Sequence, residues 1–256
     1  MITAGIDIGS ITTKIALLDK KKVLAAEVTF TGYNAEKAWQ DLLDKMLSEL
    51  KLQRDDLSSV VSTGYGRNNV SIATKAITEI TCHAAGAHFL NKKVRSLIDI
   101  GGQDSKSIVM DEGGAVLDFT MNDKCAAGTG RFLEVMARAL EVDLDNFGEI
   151  SLISKDPASI SSLCTVFAES EVISLISKGE KRENIIAGIH ESIAARVSSM
   201  IQRIGVREPV MMSGGVAKNI GVVKALEDKL NVPIIVSDFA QVNGAIGAAV
   251  LASQLS

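Results

Sequence analysis

The chain has 256 residues, 46% of them hydrophobic and 23% charged, with 21 glycines and only 3 prolines, a composition that excludes a disordered or collagen-like polypeptide. Lys and Arg (27) against Asp and Glu (31) leave a net charge of -4, so no overall positive field draws nucleic acid or an anionic membrane. The most apolar stretches, residues 185–189 and 242–251, fall short of the ~20 residues that span a bilayer.

Met1 leads directly into the apolar residues 2–6 without a charged leader, so a cytoplasmic protein is expected. Residues 4–18 (AGIDIGSITTKIALL) read as an apolar strand, a glycine-containing polar turn and a second strand. Ninety-two positions later, residues 97–111 (LIDIGGQDSKSIVMD) repeat the pattern, with the same Ile, Asp, Ile, Gly and Lys. Such self-similarity predicts two related half-structures. Each half continues into a third strand, at 24–29 and 115–121; between the first pair, Lys20, Lys21 and Lys22 form a charged hairpin turn. Glycine and small hydroxyl residues let backbone N–H groups approach phosphate oxygens, while Asp7 and Asp99 at the strand ends suit a hydrated divalent cation.

Residues 122–134 (NDKCAAGTGRFLE) place Cys125 in a small-residue turn before an amphipathic helix that runs to about residue 140, with Phe132, Leu133, Met136 and Leu140 on one face. Residues 164–175 (CTVFAESEVISL) again place a cysteine, Cys164, just before a helix. A thiolate is favoured at a helix N-terminus; buried, inert cysteines are the alternative that the residues leave open. Cys82 falls in a different setting, a packed helical segment. One chain thus offers two matched thiolates, and a two-fold dimer offers four. His83, His88 and His190 lack ligand spacing and read as packed or surface residues. The apolar spacing over 182–204 predicts a long core helix. Residues 210–219 (VMMSGGVAKN) read as a buried strand ending in two glycines, followed by a helix over 220–230.

The three segments DIGSITTK, DIGGQDSK and MSGGVAKN resemble the phosphate-1, phosphate-2 and adenosine motifs of the superfamily of acetate kinase, sugar kinases, Hsp70 and actin. That resemblance implies an α/β, duplicated RNase H-like fold with the nucleotide in the cleft between an N-terminal subdomain, 1–94, and a C-terminal subdomain, 95–256. It implies phosphate contacts from Ser10, Ile11, Thr12, Thr13, Lys14, Gly101, Gly102 and Gln103, and adenosine contacts from Gly214, Gly215, Ala217, Asn219 and Gln241. The resemblance also makes Gln103 the candidate to orient the attacking water, a structural turn amide being the alternative, and makes Asp7 and Asp99 candidates for the magnesium shell.

Further segments, NDKCAAGTGRFLEVMA and CTVFAESEVISLISKG together with TGYGR (63–67), ITEITCHAAGAHF (77–89) and AGIHESIAARV (187–197), are similar to the activators of 2-hydroxyacyl-CoA dehydratases and the ATPase subunits of benzoyl-CoA reductase. The resemblance implies a homodimeric ATPase that binds ATP/ADP and Mg2+, with one [4Fe-4S] cluster held by Cys125 and Cys164 of both subunits. It also implies a ferredoxin or flavodoxin as donor and a dehydratase as partner, with no nucleic acid or membrane. A small-molecule kinase of the same superfold, with Asp104 as its base, is the rival reading.

Overall fold

The computed structural model describes residues 1–20, 22–161 and 164–255; Lys21, in the charged hairpin turn, lies outside the described residues. The chain divides into two compact units, one of Met1–Leu97, Ile108–Asp118 and Ser237–Ser256, the other of Ile98–Ser107 and Phe119–Val236. The last twenty residues, which a cut at 94/95 gives to the second half, pack in the first unit.

The first unit is built on a five-stranded sheet of order β3-β2-β1-β4-β5, with β1 at Ile2–Ile8, β2 at Thr12–Asp19, β3 at Lys22–Phe30, β4 at Leu57–Gly64 and β5 at Lys75–Ala76. β2 is antiparallel to β1 and β3, whereas β4 is parallel to β1 and β5. β1 is buried on both faces, which accounts for its unbroken apolar run. Its side chains alternate between two coverings. Ala4, Ile6 and Ile8, with Ile15 and Leu17 of β2, pack on Trp39, Leu42, Leu43 and Met46 of α1, Ala35–Glu49. Ala16 and Leu18 face the other way, onto Ala245, Ile246 and Ala249 of the last helix, α8, Asn243–Ala252. On that same side Thr3 Oγ1 donates to Ala249 O at 2.9 Å. Asp7 shares this parity and is delivered, buried, to the C-terminal end of β1.

Helix α2, Glu79–Leu90, carries Cys82 and His83 into this unit's interior. It crosses α8 through small residues: a Cβ on Gly247 would strike the Cys82 carbonyl, and one on Gly5 of β1 would strike Ala245 O and Ala249 N. The thiol of Cys82 is pushed up to about 12 by burial.

The second five-stranded sheet has the order β10-β9-β6-β7-β8, with β6 at Ser96–Ile100, β7 at Ser105–Met110, β8 at Val116–Asn122, β9 at Val210–Ser213 and β10 at Ile234–Val236. In the second unit the helices are α3 (Gly130–Ala139), α4 (Leu144–Ser151), α5 (Thr165–Ser177), α6 (Arg182–Ile204) and α7 (Ile220–Leu230). The periodic stripe of α6 is core as expected: Ile185, Ile189, Ile193, Val197 and Ile201 are buried. α6 ends at Gly205 with φ 82, a left-handed conformation that stops a helix. No described helix is long and apolar enough to cross a membrane.

Candidate nucleotide and cysteine sites

The sequence repeat survives as a repeat of hydrogen bonds. Gly9 N donates to Thr12 O at 3.1 Å, and Gly101 N donates to Asp104 O at 2.9 Å, closing the same turn after β1 and after β6. In each case a neighbouring strand ends in a left-handed glycine, Gly64 (φ 88) after β4 and Gly214 (φ 89) after β9. A Cβ at either would collide with the carbonyl of Ile8 or Ile100, respectively. The backbone therefore approaches more closely there than any side chain permits.

In the first loop, Lys14 Nζ lies 3.3 Å from Asp7 Oδ2, with both side chains largely buried; the two residues are register partners across β1 and β2. Ser10 is exposed at the tip, with Ile11 and Thr12 half-buried. Thr13 is buried, its hydroxyl 3.0 Å from that of Thr31. Thr31 braces the loop twice more: its Oγ1 donates to Gly9 O at 2.8 Å and its N–H donates to Ile11 O at 2.9 Å. Gln241 lies half-buried in a one-turn 3-10 segment, Ala240–Val242, of the first unit.

In the second loop, Gly101 and Gly102 are half-buried and Gln103 is exposed. Asp99 is buried and accepts from Ser213 Oγ at 2.7 Å. Lys106 Nζ reaches Asp99 Oδ2 at 3.4 Å and Asp104 Oδ2 at 2.7 Å. Lys106 and Ser213 carry no signal of their own in the sequence beyond the lysine shared by both repeats. Gly214 is buried, Gly215 exposed, and Ala217 buried. Asn219 caps α7, its Oδ1 accepting from Gly221 N at 3.0 Å and Val222 N at 3.1 Å, while its amide nitrogen lies 3.4 Å from His190 Nε2.

His190 is buried, with its ring edge-on to Phe147 at 5.5 Å, and burial holds its imidazole down to about 3. It is therefore neutral at pH 7. Between about 6.5, its ordinary value, and 3, the unfolded chain binds a proton that the native state does not, so stability falls with falling pH. Replacing His190 with Gln is expected to shrink the stability lost between pH 7 and pH 5 by about 2 kcal/mol, at ~1.4 kcal/mol per pH unit below 6.5; urea unfolding at the two pH values measures it.

Cys125 is half-buried in a turn held by Asn122, whose Nδ2 donates to Cys125 O at 2.8 Å and Ala127 O at 3.1 Å. Gly128, with φ 84, lets that turn run into α3. The first turn of α3 is bonded to the second phosphate loop: Gly130 N donates to Gly101 O at 2.9 Å, and Arg131 N to Gly102 O at 2.8 Å. Cys164 is exposed at the N-cap of α5, its carbonyl accepting from Ala168 N at 2.9 Å. Glu171 of α5 accepts from Ser161 N at 3.2 Å. Val166 and Phe167, beside Cys164, are 66% and 67% exposed, and Ile173 is 55% exposed. No three His, Cys, Asp or Glu side chains stand together as a ligand set among the described residues.

Twin strand–turn–strand loops on two α/β units define a nucleotide-binding fold of the actin, Hsp70 and sugar kinase class. A ROK family glucokinase from Streptomyces griseus shares that fold at a TM-score of 0.61 and 12% identity, covering 99% of this chain and 100% of that one. The chain belongs to the BadF/BadG/BcrA/BcrD ATPase family, whose profile matches residues 4–252. It is 50% identical over 252 residues to a 2-hydroxyisocaproyl-CoA dehydratase activator of Clostridioides difficile, covering 98% of this chain and 95% of that protein. A solved structure of the activator of the 2-hydroxyisocaproyl-CoA dehydratase from Clostridium difficile, with bound ADPNP, matches with a TM-score of 0.94 and 49% identity, covering 100% of this chain and 95% of that one.

Proposed function

We propose that this protein is an ATP-hydrolysing activator of a 2-hydroxyacyl-CoA dehydratase, working as a homodimer and delivering one electron at a time to that enzyme. The observation that carries the reading is the pair of hydrogen bonds from Gly130 and Arg131 to Gly101 and Gly102. They attach the helix that follows Cys125 to a phosphate loop, so a loop that moves with nucleotide state moves that helix with it.

In this reading Ser10, Ile11, Thr12, Thr13 and Lys14 bind phosphate from the first loop, and Gly101, Gly102 and Gln103 from the second. Asp7 and Asp99 face magnesium, largely through water, as their buried strand-end carboxylates suit. The exposed amide of Gln103 orients the attacking water. Gly214, Gly215, Ala217, Asn219 and Gln241 receive the adenosine, Asn219 chiefly through backbone because its side chain already caps α7.

Cys125 and Cys164 fit half of a four-thiolate set: both precede helices whose N-termini favour thiolate, and neither is enclosed like Cys82. The same two residues of a second copy complete it, as a two-fold axis allows. A [4Fe-4S] cluster held there supplies the low-potential electron that the dehydratase needs. A ferredoxin or flavodoxin restores that electron. The bare apolar face of α5, with Val166 and Phe167 next to Cys164, is where the second copy packs.

Anaerobically purified protein is expected to run as a dimer, to contain about four irons per two chains, and to make a purified 2-hydroxyacyl-CoA dehydratase active only when ATP is present. An iron-free monomer that phosphorylates a small molecule would overturn this function.

A further inference from the structure

The two phosphate loops share a turn and a lysine but differ in buried charge. At the position where the first loop has Thr12, the second has Asp104. The first turn therefore encloses one ion pair, Asp7 with Lys14. The second encloses two carboxylates and one ammonium, Asp99, Asp104 and Lys106, all with side chains at most 8% exposed. The three groups sum to one negative charge. Asp104 Oδ1 lies close over Gly101, where an added Cβ would stand only 2.7 Å from it. Two carboxylates so placed in a buried setting both stay ionised only while a cation sits between them.

We infer that Lys106 is the positioning residue of the second phosphate loop: its ammonium, between Asp104 and Asp99, cancels one carboxylate and fixes the other, so that the loop meets a polyphosphate carrying one negative charge and not two. The inference deepens the nucleotide-binding reading and rests on it. Lys106 is itself buried and acts through the two carboxylates and not by touching the nucleotide. Its contribution is one of charge, and this separates it from a packing role: removing the ammonium should impair binding, and removing Asp104 as well should repair it, although the double change fills the site no better.

The test is calorimetric titration of ATP into the full-length protein, with Lys106→Met compared with Asp104→Asn/Lys106→Met and with thermal melts of each. Lys106→Met is expected to bind ATP at least tenfold more weakly, and the double variant to return to within threefold of the unaltered protein. Should Lys106→Met not fold, a folded double variant that binds within threefold supports the inference, and one that does not bind refutes it. ATP binding unchanged in Lys106→Met, or a folded double variant as weak as the single one, also refutes it. If the unaltered protein binds no ATP at all, the nucleotide reading fails, a result separate from any difference among variants.

Discussion

Cys125→Ala and Cys164→Ala are each expected to bring the iron content of anaerobically purified protein from about four per dimer to background, while Cys82→Ala leaves it unchanged. The contrast follows from local chemistry. A thiolate, not a thiol, binds iron, and burial pushes the Cys82 thiol up to about 12, leaving it protonated inside α2. Cys164 stands at the N-cap of α5, open to solvent, and Cys125 is half-buried in the turn that leads into α3. In a two-fold arrangement each substitution removes two of four ligands at once, so the loss is close to complete and not halved. Iron and acid-labile sulfide assays with the cluster's brown absorbance decide it. Retained iron in Cys164→Ala, or its disappearance in Cys82→Ala, would mean that other residues hold the metal.

Gly247→Ala should be the most damaging single-methyl addition in the first unit. Its new Cβ would fall on the Cys82 carbonyl, with Gly86 N at 2.6 Å, and both obstacles are backbone, which cannot rotate aside. α2 and α8 would have to separate, uncovering Ala248 and Ala249, both fully buried. Overpacking of a tight interior costs about 1–3 kcal/mol and more where the backbone must shift. A loss of about 3 kcal/mol lowers Tm by roughly 6–12 °C in a protein of this size. Gly113→Ala, where the nearest neighbour of an added Cβ is Asp111 Oδ1 at 3.4 Å, is the control and should melt close to the unaltered protein. If Gly247→Ala melts within about 2 °C of that control, the α2–α8 seam is not closed as described.

Much of this architecture is legible locally. The stripe of Ile185, Ile189, Ile193 and Val197 predicts α6 because 3.6-residue spacing needs no knowledge of the partner. The glycine pair after 210–213 locates the end of β9 and the start of α7 in the same way. Residues whose role depends on distant neighbours are hidden. Nothing near Lys106 in sequence announces that Ser213, more than a hundred positions away, will bond to the carboxylate it contacts. The apolar stretch 242–251 is visible in the sequence, but its membership in the first unit follows only from contacts with Gly5 and Cys82. Asn219 is a further case: it is read as an adenosine residue, yet its amide is committed to the cap of α7 and to the neighbourhood of His190.

The return of α8 to the first unit has a consequence for how the chain is made. On the ribosome β1 and β2 are made long before α8, so Ala16 and Leu18 face a helix that is not yet synthesised. At ~5–20 residues per second, that apolar surface stays uncovered for on the order of ten seconds while residues 98–236 emerge. Nascent chains stalled before residue 243 should therefore recruit holdase chaperones, and chains freed from the ribosome with α8 in place should release them.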